Sequence, residues 1–313
     1  MDTRKQMMMS AERKFKEAIE KMARSERNVR LSHPDLVSFV HDRGQSYGLV
    51  TNPDMMSRLR ELSLLIDKHV LNRQLTMLVN CDAGLVLLAQ SPHLQHMITE
   101  DGLNKVVDQI ASPAEMLLST AAGRELLMNN SRLCEMVSDD AVNVCLYELV
   151  TVGCELLRAS PNLTDKISAE KLNYYNGVDI AVYPLLLSRE GQEILNGNIE
   201  LCHKIDSGRV NDINTERVPF HLFGRVGPVK YRNLVCQVIV YDILTTEHGR
   251  KFLETNDCIR SSISDEALYA EIECGPNRGK KAADLLMQPG YEVLRDMFLQ
   301  DRNLPGINFN NFL

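Results

Sequence analysis

The sequence has no tryptophan, and aromatic residues make up only 5% of its 313 positions. It has no run near the roughly 18 uncharged apolar residues that a membrane-spanning helix needs. It also has no apolar signal core at its start, where the first 30 residues are charged from Asp2 to Arg30. Those 30 residues hold five acids, which an acid-poor transit peptide would not. Basic charge is not in excess: 35 Lys+Arg against 42 Asp+Glu give −7, with a pI near 5.7. That balance opposes a strongly basic nucleic-acid binder. The 17 Gly and 11 Pro are too few for a collagen-like or low-complexity chain. Eight cysteines are present, none in a C-x-x-C pair, and they are scattered through apolar stretches where a reduced thiol acts as a small hydrophobe. Together these absences predict a soluble intracellular protein, cytoplasmic or nuclear, without a membrane anchor and large enough to bury its own core.

Catalytic patterns are missing too. His93 and His96 sit at a spacing that shares one helix face, but no third metal ligand lies near them in sequence. Cys202 and His203 are adjacent and point apart on a helix. The stretch from Gly275 through Gly279, Lys280 and Lys281 faintly echoes a phosphate loop, but it is one residue short and has no Ser or Thr and no preceding strand. No G-x-S-x-G elbow or dinucleotide fingerprint occurs. The expectation is a protein that is not an enzyme and carries no cofactor or metal.

What is present is a repeat. A 15-residue pattern has Gly first, an apolar residue at +3, Leu at +4, and apolar residues at +10 and +14. It begins at Gly84, Gly123, Gly153, Gly191, Gly249 and Gly290. Position +4 is Leu in all six copies: Leu88, Leu127, Leu157, Leu195, Leu253 and Leu294. The last copy slips at +10, where Gln300 stands. A weaker copy starts at Gln45 and keeps Pro53, Met55 and Leu59 in register. Counted from Gln45, the steps are 39, 39, 30, 38, 58 and 41 residues. A period near 40 falls with armadillo and HEAT arrays, at roughly 40–47 residues. The residues before each Gly show helical spacing, as in Val144, Leu146, Leu149 and Val150. The pattern predicts that each Gly ends that helix in a left-handed conformation. A short second helix would begin at the apolar pair. The steps Ser91-Pro92, Asn130-Ser131, Ser160-Pro161 and Asn256-Asp257 would then break the chain and cap a third helix. Ser112-Pro113-Ala114-Glu115 reads as a capping box with Pro at N1.

This unit resembles armadillo-like repeats, most closely from Gly123 to Val137 and from Gly249 to Ile263, with the resemblance covering roughly 45–305. It implies an all-α fold: a right-handed α-solenoid of about six to seven units. The stretch from Thr246 to Leu253 is also loosely similar to the armadillo-type proteasome-base assembly chaperones. Without tryptophan, the chain departs from the import-receptor arrays, whose Trp/Asn ladder holds basic peptides.

Three segments stand outside the repeat. Residues 1–30 have nine Lys/Arg against five acids and an apolar stripe of Met8, Phe15, Ile19 and Met22. They either cap the first repeat or dock outward. Residues 206–230 read as an inserted loop with its own aromatics. The tail, 305–313, is uncharged and contains two Phe. Insertions in repeat arrays map to one face, often the binding face. The expected partner contacts are therefore Phe220, Phe223, Arg225, Lys230 and Arg232, with Phe309 and Phe312 of the tail. Residues 81–210 carry eighteen acids against nine basic residues, a surface suited to basic partners. The expected function is a scaffold or adaptor binding proteins along a helical-repeat surface in a larger complex. The alternatives are a transient assembly chaperone or regulatory subunit and, against the net charge, a helical-repeat nucleic-acid binder.

Overall fold

A computed structural model describes residues 66–106, 111–174, 180–214, 237–272 and 277–302, with isolated positions between 57 and 64. The chain divides into two compact units, Met1–Cys145 and Leu146–Leu313. The fold is all-α. Among the described residues the only extended pairing is a ladder of two residues on each side.

From residue 66 on, the described residues of the first unit form two sets of four helices. One set is α1 (Lys68–Val79), α2 (Asp82–Gln90), α3 (Pro92–Met97) and α4 (Glu100–Asn104). The other is α5 (Pro113–Ser119), α6 (Ala121–Met128), α7 (Ser131–Met136) and α8 (Asp139–Val144). Equivalent helices pack on each other, α1 on α5 and α2 on α6. Ser112 opens α5 as the sequence predicts, with Pro113 at N1 and the Glu115 N–H donating to Ser112 Oγ at 3.2 Å.

The second unit repeats the same order. Its first set is α9 (Leu146–Val152), α10 (Cys154–Ala159), α11 (Pro161–Asp165) and α12 (Ala169–Asn173). Next come α13 (Val182–Leu187), α14 (Arg189–Gly197), α15 (Ile199–His203) and α16 (Ser207–Val210). The ladder of β1 (Ile213–Asn214) with β2 (Gln237–Val238) follows. After it come α17 (Ile239–Thr245), α18 (Glu247–Thr255), α19 (Asp257–Ser262) and α20 (Asp265–Tyr269), then α21 (Ala282–Leu286) and α22 (Glu292–Asp301). Helices of like rank contact in succession: α9, α13, α17 and α21; α10, α14, α18 and α22; α11, α15 and α19.

The core follows the repeat pattern. The residues at +3 and +4 are buried in the first five copies, from Leu87 and Leu88 to Phe252 and Leu253. So are Leu94, Leu133, Leu163, Leu201 and Ile259 at +10. Each third helix starts at the expected break; Asn130, Asn256 and, in the Gly191 copy, Asn198 accept a first-turn N–H, whereas Ser91 and Ser160 hold the N-cap position without a side-chain cap hydrogen bond. A fourth helix follows in each of the first five copies, and the pattern does not announce it. Its cap always falls at +15: Thr99, Ser138, Ser168, Asp206 and Ser264 each accept a first-turn N–H.

Three expectations are corrected. The repeat glycines are not, as a rule, left-handed helix ends: only Gly153 directly follows a helix, α9, and only Gly290 is left-handed, with φ +92°. Gly84, Gly123, Gly191 and Gly249 lie in the first turn of the second helix, and Gly153 is its N-cap with φ −109°. Among the described glycines only Gly279 and Gly290 have positive φ. The reason for glycine is close approach. At Gly84, Gly123, Gly153, Gly191 and Gly249 a Cβ would fall within 3 Å of the preceding helix's backbone. In the Gly84, Gly123, Gly191 and Gly249 copies the second helix starts before the Gly, capped in three of them by Thr120, Ser188 and Thr246, whose hydroxyls accept the Gly N–H. Second, Val144 belongs to no buried stripe. It is exposed near the end of α8, and the chain breaks at Cys145 before α9. Third, the expected inserted loop starts too early. Residues 206–210 cap and form α16, and residues 211–214 continue into β1.

Candidate functional site

The expected contacts Phe220, Phe223, Arg225, Lys230, Arg232, Phe309 and Phe312 all lie outside the described residues, as do residues 1–30 and the tail. What the structure describes is the base from which the 22-residue segment 215–236 leaves and returns. Ile213 pairs with Val238 and Asn214 with Gln237, antiparallel, so the two ends of the segment stand one strand spacing apart, roughly 5 Å. The Ile239 N–H donates to the Asp212 carbonyl at 3.3 Å. Beneath the ladder the Tyr183 hydroxyl donates to Asp212 Oδ2, and Arg209 Nη1 approaches the same oxygen at 3.5 Å. Arg209 Nε also donates to the Asn173 carbonyl at 3.0 Å. Burial foremost, and then the Asp212 hydrogen bond, push the Tyr183 phenol well above its ordinary pKa. It stays a neutral donor, and the network is a clamp.

The second feature is a set of side-chain amides that tie successive copies together. Asn72 donates to the Met97 carbonyl at 2.9 Å and accepts the Thr99 N–H at 2.7 Å. Asn104 does the same with Met136 and Ser138, Asn173 with Lys204 and Asp206, and Asn211 with Ser262 and Ser264. In every case the targets are positions +13 and +15 of the following copy. Each amide completes two backbone hydrogen bonds at a helix-to-helix corner whose groups would otherwise be orphaned.

A second series runs between positions +7 and +11. Asn130 Nδ2 donates to Gln95 Oε1 at 2.7 Å, Asn198 Nδ2 to Thr164 Oγ1, and Asn256 Nδ2 to Cys202 Sγ at 3.3 Å. Their Oδ1 atoms cap their own helices. The +11 side chains also turn back to the end of the second helix: Gln95 to the Leu88 carbonyl, Cys202 to Leu195 and Arg260 to Leu253. In the Gly249 copy, Arg260 is buried and meets Asp301 with Nε–Oδ2 at 2.6 Å and Nη2–Oδ1 at 3.4 Å. These asparagines are spent on the array itself.

The titratable groups fit this picture. Burial holds the thiols of Cys81, Cys154, Cys202 and Cys258 above their ordinary range. The six described cysteines are thiols, five of them buried, as the sequence predicts. Burial also raises the Asp242 carboxyl to about 6, and its Oδ2 is buried without a hydrogen-bond partner. His93 and His96 are exposed on α3. Among the described residues no group of three or more His, Cys, Asp or Glu is placed to hold a metal ion. Of the phosphate-loop echo, Lys280 Nζ donates to Asn277 Oδ1 at 3.1 Å, and Lys281 is the N-cap of α21. Among the described residues no helix is long and apolar enough to cross a membrane.

The amide series was readable only in part. Ser or Thr three residues before a repeat Gly is a visible cap signal, and so is a cap at +15. The partners of Asn72, Asn104, Asn173 and Asn211 lie 25 to 53 residues away, and nothing local marks them. No family model, no curated protein and no solved structure matches this chain.

Proposed function

We propose that this chain is a scaffold or adaptor that binds protein partners along a surface made of about six to seven armadillo-like units. The supporting observation is the packing of like-ranked helices, stapled at equivalent positions by Asn72, Asn104, Asn173 and Asn211. Repeats held to their neighbours in this way present a regular outer surface to partners. The ladder at 213–214 and 237–238 gives the 215–236 segment, with Phe220, Phe223 and Arg225, a rigid base. Rigid bases under variable segments are how repeat scaffolds carry their contacts.

The test is a native pull-down of the tagged full-length protein from its own cells, at low and moderate salt. A stoichiometric protein partner surviving moderate salt, and lost when 215–236 is replaced by a Gly/Ser linker, is the expected result. Recovery of nucleic acid alone, all lost at moderate salt, would replace the scaffold reading with an electrostatic binder.

A further inference from the structure

His203, in the last turn of α15, and Cys258, in the first turn of α19, belong to two stacked helices of successive copies. Cys258 Sγ lies 3.5 Å from His203 Nδ1. Cys258 is the one described cysteine that is not buried, and His203 is exposed. A zinc ion binds thiolate at roughly 2.3 Å and imidazole at roughly 2.0–2.1 Å. At a tetrahedral angle those bonds place sulfur and nitrogen about 3.5 Å apart. The pair therefore already has the separation that two ligands of one zinc ion require. Each atom is held by a separate packed helix, so little ordering remains to be done on binding.

Two ligands leave a tetrahedral ion half satisfied, and no third protein donor is placed to complete it within the described residues of one chain. The surrounding surface says what completes it. Ile199 lies one helical turn before His203, on the same side of α15, and is 59% exposed. Among the described residues it is the only large apolar side chain exposed on any third helix of a copy. An apolar contact beside a half-built ligand set suits a two-fold interface, where the same patch meets itself and every ligand appears twice.

We propose that Cys258 and His203 form half of a zinc site, and that a second copy of this chain supplies the same two residues to give a Cys₂His₂ centre at a two-fold axis. On binding, the Cys258 thiol gives up its proton to solvent and the thiolate and the neutral imidazole each donate a lone pair; no oxidant or reductant is needed.

The experiment titrates the full-length, metal-free protein with Co²⁺ and with Zn²⁺, reading visible absorption for Co²⁺ and molar mass by light scattering for both. The expected result is tetrahedral cobalt bands with a sulfur-to-cobalt charge-transfer band, saturating at one ion per two chains, and a doubling of mass that a chelator reverses. Cys258→Ser and His203→Ala should each abolish the bands and the doubling while melting within a degree or two of the parent. Ile199→Asp should keep the chelating pair but weaken the metal-dependent dimer at least tenfold. Saturation at one ion per chain without a change of mass would overturn the bridging. Bands that persist in both variants would overturn the site. The pull-down result does not depend on this site, so either proposal can fail alone.

Discussion

The copies starting at Gly249 and Gly290 share a sequence pattern and differ in physics. At Gly249 the chain is helical, and a Cβ would strike the Ile243 carbonyl. At Gly290 φ is +92°, nothing lies within 4 Å of where a Cβ would be, and α22 starts only two residues later. Phe252 at +3 is buried in the first copy, whereas its counterpart Val293 is 58% exposed. Seven residues before the glycine stands Asp242 in one copy and Ala283 in the other. One motif therefore answers two demands, close backbone approach between consecutive helices and a left-handed turn where α21 gives way to α22.

Substitutions at matched positions should separate the two. Phe252→Ala should lower unfolding stability by about 4 kcal/mol, the usual cost of emptying an aromatic site in a core. Val293→Ala should shift it by less than about 0.5 kcal/mol. Equal effects in urea denaturation would mean that the two +3 positions are not in different environments. Gly249→Ala should cost about 3 kcal/mol by overpacking against backbone that cannot retreat. Gly290→Ala should cost only about 1–2 kcal/mol, the strain of a left-handed residue. Asn, which tolerates that region, should recover part of the loss at 290 and none at 249.

Asp242→Asn tests the third difference through pH. The folded carboxyl takes up its proton below about pH 6, and the unfolded one only near its ordinary 3.8. Between those values the folded state holds more protons, so stability falls as pH rises, and the loss is complete above about 6. The Asn variant should therefore be more stable than the parent by about 2 kcal/mol at pH 7.5, with no advantage below pH 4. A pH-independent difference would show that burial of the charge is not the cause. Asn211→Ala, which removes two hydrogen bonds to the Gly249 copy, should cost about 1–2 kcal/mol.

Much of the fold was legible because its signals are local. A Leu at +4, an Asn or Ser before a Pro or Asp, and a period near 40 each act within one copy, and the buried positions follow. What was not legible depends on neighbours. The glycine reads as a helix end, because its local sequence does not show the carbonyl of the preceding helix. The break at Cys145 divides a run of apolar residues that helical spacing alone would keep whole. Asn104 and Asn211 look like ordinary polar surface until the following copy is placed against them. The contacts expected on the inserted segment and the tail lie outside the described residues.

The asparagine staples carry a consequence for how such a chain can change length. Asn173 reaches a carbonyl 31 residues on, and Asn211 reaches its equivalent 51 residues on, with the same bond made at each end. The extra chain is spliced between donor and acceptor, where the staple cannot sense it. Lengthening such a connection costs only about 0.6 kcal/mol per doubling. The array is thus a chassis that accepts grafts between its copies: a new segment can be inserted, lengthened or exchanged in one generation without renegotiating the joints that hold its neighbours.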